Sequence, residues 1–173
     1  MPLLDERRRY EWTPAAGLPR RSHRLSFRPV GAADTDQVLA VLRAISRGSL
    51  DIHTAREVAR VGVAQAARAQ LAGLDGLGGP RSWWRLASTP DGQPVGIAVP
   101  ARNFEGPIIG FIGVVPQQRG AGYGRDLLAE ATQVLAAEGA DRIRADTDST
   151  NTPMAAAFEW AGYRHFGVQI VMA

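Results

Sequence analysis

Between residues 119 and 124 the chain reads Arg-Gly-Ala-Gly-Tyr-Gly, followed by Arg125 and a run with helical periodicity. A glycine loop that enters a helix makes an anion site, because the first helical N–H groups have no intrahelical acceptor and the helix dipole is positive at that end. Gly120, Gly122 and Gly124 carry no Cβ, so phosphate oxygens can approach the main chain closely, and Arg119 and Arg125 add positive charge. A diphosphate suits these needs. The loop lacks the Gly-Lys-Ser/Thr ending of a magnesium-nucleotide loop. It also lacks the Gly-x-Gly-x-x-Gly spacing, directly after a first strand, of a dinucleotide fold. Tight turns use glycine too, so the elements around the loop must decide its meaning.

Those elements read as a mixed α/β sandwich. Residues 25–30 alternate as a half-buried strand, and Asp34 is placed to cap a helix running to Ser46. Thr54 can cap a second, Ala-rich helix reaching Leu74. Strands at 83–88 and 95–100 flank a Pro90-Asp91-Gly92 turn and form a hairpin. Pro107–Val115 is almost wholly apolar, as a strand covered on both faces would be. The glycine loop then leads into a helix over 122–138. A strand at 142–146, a helix at 151–161 and an extended segment at 163–172 complete the order. Residues 1–22, with mixed charges and no sustained period, read as an N-terminal arm outside a single domain at 23–173.

Composition narrows the class. The chain has 173 residues, 45% hydrophobic and 21% charged, enough for one packed core. It has no cysteine, which removes disulfides and thiolate chemistry. All 20 basic residues are arginine, but they lie among 17 acids, so no phosphate-tracking stripe is visible and nucleic acid is not an expected partner. No apolar run has the length of a membrane span and no secretory signal is visible, so a cytoplasmic protein without membrane association is expected.

The run from Ile112 through Val114 and the 119–124 loop to Leu128, followed in order by Asn151 to Tyr163, resembles the coenzyme A motifs of the GNAT superfamily of N-acetyltransferases. The resemblance extends loosely over 25–172. It implies a GNAT-type α/β fold, a mostly antiparallel central sheet flanked by helices and splayed at the coenzyme site. It implies that Ile112, Gly113 and Val114 offer strand backbone to the pantetheine arm of acetyl-CoA and that Arg119, Gly120, Ala121, Gly122, Tyr123, Gly124 and Arg125 hold the pyrophosphate. Asn151 would bond the arm, although its type also suits an ordinary helix N-cap. The Val114 N–H would stabilise the oxyanion, and no metal is required. Asp146, five residues before Asn151, is the candidate base that deprotonates a primary-amine acceptor, a small molecule or a peptide. Asp148, Glu105 and His53 are the alternatives.

Two positions depart from the pattern. Where the family often has a tyrosine as general acid, seven residues after the Asn, this chain has Phe158. After Tyr163 little sequence remains for the family's last hairpin, so that side of the sheet needs a strand swapped within a homodimer, the N-terminal arm, or a shorter sheet. A non-catalytic acyl-CoA-binding module is the rival reading, supported by Phe158.

Overall fold

The computed structural model describes residues 4–47 and 52–172, so the linker around 48–51 lies outside the described residues. Seven strands form one sheet: β1 (Leu4–Trp12), β2 (Ser26–Pro29), β3 (Arg85–Ser88), β4 (Pro94–Asn103), β5 (Gly106–Val114), β6 (Ile143–Asp148) and β7 (Arg164–Met172). Five helices flank it: α1 (Thr35–Ser46), α2 (Ile52–Val61), α3 (Val63–Asp75), α4 (Tyr123–Ala137) and α5 (Thr152–Trp160). Spatial order is β2-β3-β4-β5-β6-β1-β7, and every pairing is antiparallel except β5 with β6.

The segment read as an arm is therefore corrected: residues 4–12 are an interior strand, antiparallel to β6 on one side and to β7 on the other. β1 fills the position for which the sequence offered three solutions. One face of it carries Tyr10 and Trp12, buried against α4 and α5 with Ile143, Phe158 and Tyr163. The other carries Arg7, Arg9 and Glu11, set opposite Asp148, Asp146 and Arg144 of β6. Glu6 and Arg8 put charge on the Tyr10–Trp12 face as well, so the first half of β1 shows no apolar alternation.

α1 and α3 pack on one face of the sheet, against Leu86, Ile97, Val99 and Val115. On the other, Leu127 and Ala131 of α4 meet Val95 and Ala98. β4 is the strand covered on both faces, buried from Val95 to Ala101, whereas β5 is half-buried along most of its length. The long second helix is two helices, broken where Gly62 takes φ +84°. Trp83 ends a 3-10 turn and Trp84 follows it, so neither lies in a strand, and Trp84 belongs to the α1–α3 core. Among the described residues no helix is long and apolar enough to cross a membrane.

Candidate active site

The sheet opens between β5 and β6. Their one register pair is Ile108 with Arg144, near the start of each strand, and beyond it the two parallel strands part. Glu105 fastens the closed end: its carboxylate accepts from Arg9 (2.6 Å) and Arg144 (2.8 Å), and Arg142 donates to its carbonyl (2.9 Å). The Arg144 hydrogen bond first, then that of Arg9, holds the Glu105 carboxyl below its ordinary range.

The open end contains Ile112, Gly113 and Val114. Val115 donates to Val95 O at 2.8 Å, so the adjoining pair Val114–Gly96 belongs to the alternate, non-bonded class. The N–H and C=O of Val114, and by the same period those of Ile112, turn away from β4 toward the opening. Arg119 closes back on this strand, donating from Nε to Val114 O (3.1 Å) and from Nη2 to Ile45 O (3.1 Å). Its guanidinium thus ties the loop to β5 and α1 instead of pointing outward. The Val114 N–H remains directed into the opening.

At the head of α4, Gly120 and Gly122 take φ +89° and +78°, conformations that glycine adopts without strain. Main-chain bonding stops at Arg119 N–H to Pro116 O and resumes at Arg125 N–H to Gly122 O, so the intervening N–H groups have no main-chain acceptor outside the helix. Gly124 is the informative residue. It has no positive φ, and a Cβ built there meets nothing within 4 Å, so nothing inside the protein explains a glycine in the first turn of a helix. Glycine there costs about 1 kcal/mol relative to alanine. An occupant pressed against the main chain does explain it, and these residues fit the diphosphate of coenzyme A.

Arg24 beside this loop has no motif to reveal it. It donates to Ala121 O (2.8 Å) and, from Nε and Nη2, to Asp126 (3.1 and 2.7 Å), and it lies over the Tyr123 ring. It thereby offsets the one acid in the first turn of α4. Arg125 lies over Trp160 of α5. Asn151 is the N-cap of α5, its Oδ1 accepting from Met154 N–H at 3.2 Å.

Of the candidate bases, Asp146 accepts from Arg7 Nε at 2.8 Å. Asp148 is buried, which opposes its charge, but the hydroxyl and N–H of Thr150, the contact with Asp5 and the Arg7 charge hold its carboxyl below the ordinary range. His53 lies in the first turn of α2, with Nε2 2.7 Å from Asp5 Oδ2. Asp5, Arg7 and Arg24 were all missed by the sequence reading, because their partners lie far along the chain.

Phe158 is not in the opening. It is 2% exposed, stacked on Tyr10 (4.8 Å between centroids) and tilted against Tyr163 (5.3 Å). Burial also holds the Tyr163 phenol above its usual range, and its hydroxyl bonds Thr132 at 2.7 Å. The Phe158 ring is core, so the implied proton-donor position is corrected. Phe158→Tyr is expected to lower stability by about 1–3 kcal/mol through an unsatisfied hydroxyl, without faster turnover. Thermal denaturation beside a rate assay checks this; an unchanged melting temperature with a rate gain would reinstate the donor role.

A mostly antiparallel sheet, opened between two parallel strands and with a glycine loop heading the next helix, defines an acyltransferase-like α/β fold. The chain belongs to the Acetyltransferase (GNAT) family, which matches residues 77–163. Among curated proteins no relative matches. Its fold is similar to that of a GCN5-related N-acetyltransferase from Sphaerobacter thermophilus (TM-score 0.66, 19% identity, 99% of this chain and 51% of that one). It is also similar to a GNAT-family acetyltransferase from Colwellia psychrerythraea (0.66, 14%, 98% and 56%). A third is a tandem GNAT protein from the clavulanic acid biosynthesis pathway (0.54, 15%, 98% and 54%). The chain spans about half the length of these structures.

Proposed function

We propose that the protein moves an acyl group, acetyl in the first instance, from acyl-CoA to a primary amine by direct transfer within a ternary complex. The observation that carries this reading is Gly124: a glycine with no internal reason, in a row of unbonded N–H groups, at the head of the helix that follows the free edge of β5. In this reading the loop 119–125 holds the diphosphate and the strand 112–114 pairs with the pantetheine amides as a neighbouring strand would. Asn151 approaches the arm from α5. The Val114 N–H stabilises the carbonyl oxygen as it gains charge.

The acceptor side favours a cation. At the open end of β6 and β1, Asp5, Asp146 and Asp148 gather around Arg7, with His53 on Asp5. That excess of carboxylate attracts an ammonium group. Among the described residues no cluster of three His, Asp or Glu is placed to hold a metal ion.

The test is acetyl-CoA binding by calorimetry, followed by coenzyme A release measured over a panel of aliphatic amines, amino acids and short peptides. Amine-dependent release is expected. Tight binding with no release for any amine would favour the rival, a sensor of acyl-CoA.

A further inference from the structure

The last turn of α1 and the first turn of α2 flank the opening. The end of α1 lies over β5, since a Cβ on Gly113 would fall 2.7 Å from Ile45 Cδ1 and Arg119 bonds the Ile45 carbonyl. Eight residues later His53 touches Asp5 of β1, beyond the end of β6. In the parallel register set by Ile108 and Arg144, four further residues on each strand bring Ile112 level with Asp148. His53 therefore stands on the α1 face, at the level of the β5 backbone that turns toward the opening.

Its chemistry suits that place. Asp5 is 4% exposed, while the His53 side chain is 41% exposed. Asp5 on Nε2 holds the neutral ring as the Nε2–H tautomer, which leaves Nδ1 as the accepting nitrogen. The neighbouring carboxylates are already engaged: Asp146 with Arg7, Asp148 with Thr150, and Glu105 with Arg9 and Arg144 at the closed end. Among the described residues the His53 ring makes no second ion pair.

Resting on the acyltransferase reading, we propose that His53 is the proton acceptor for the attacking amine and that Asp5 is its positioning residue. The acceptor ammonium gives one proton to Nδ1. The neutral amine then attacks the thioester carbonyl, so that the C–N bond forms and the C–S bond breaks. Coenzyme A leaves as thiolate and receives the second amine proton through solvent, and the third stays on the amide. The charged groups linked to the pair are Arg7 on Asp5, Asp146 on Arg7 and Asp148 bonded to Asp5, with Arg56 and Glu57 three and four residues further along the same helix.

The experiment uses acetyl-CoA and the fastest amine of the panel, with kcat followed against pH for the wild type, His53→Ala and Asp5→Asn. Because the neutral ring is the active form, the wild-type kcat falls toward acid pH. His53→Ala should lower kcat about 10²-fold, remove that acid limb, keep acetyl-CoA affinity and recover part of the rate on addition of imidazole. Asp5→Asn should lower kcat about 10-fold and leave acetyl-CoA affinity unchanged. An unchanged kcat and limb in His53→Ala overturns the proposal, as does a loss of coenzyme binding or melting temperature without rescue by imidazole, which would make the pair a structural tie. A wild type that binds acetyl-CoA but acetylates no amine overturns the acyltransferase reading itself, and this assignment with it.

Discussion

Gly124→Asp is expected to weaken acetyl-CoA binding at least about 10²-fold while the melting temperature stays level or rises. Two like charges 4 Å apart at an effective dielectric of 20 repel by about 4 kcal/mol, roughly 10³-fold, and solvent reduces this at an open loop. The stability effect runs the other way. The position has no positive φ and open space for a side chain, so the substitution removes glycine's backbone entropy, and an acid in the first turn suits the helix dipole. Opposite signs separate a lost ligand contact from a damaged fold, a separation that Gly122 cannot provide, because at φ +78° any side chain is strained. Gly124→Ala should raise the melting temperature with a smaller loss of affinity. Calorimetric binding unchanged in Gly124→Asp would remove the diphosphate from this loop.

What the sequence made legible follows the physics of each element. The glycine loop and its helix were readable because their signals are local: three glycines and a periodic apolar run. The hairpin around Pro90-Asp91-Gly92 was readable for the same reason. The apolar run of β5 overstated its cover, since one edge of that strand faces the opening and β4 takes the fully buried place. The break at Gly62 escaped notice because alanine-rich periodicity resumes directly after it. In the candidate site, the signals of the glycine loop are local and those of the Asp5–His53 contact are not. Asp5 meets His53, and Arg7 meets Asp146, only after the chain folds, so no spacing could have announced them. Phe158 shows the opposite error, in which a motif position was carried over although its ring packs between two tyrosines.

The strand that the sequence concealed should also be the most sensitive to truncation of its side chains. Trp12 is 1% exposed, donates from Nε1 to Gly17 O at 3.0 Å, and packs with Tyr10 against α5. Trp12→Ala is expected to cost about 3–5 kcal/mol, the usual range for removing a large aromatic from a core. In a fold whose total stability is on the order of 5–15 kcal/mol, this is a fall in melting temperature of roughly 10 °C. An exposed arm would give a different result, since surface truncations generally change stability by less than about 0.5 kcal/mol. Arg8→Ala, at an exposed position of the same strand, supplies that comparison. Equal melting temperatures for the two variants would return residues 4–12 to the status of an arm. A large loss confined to Trp12 would make β1 part of the core. The same strand sets Asp5 beside His53, so the segment with the weakest local signal would then support both the sheet and the acceptor side of the opening.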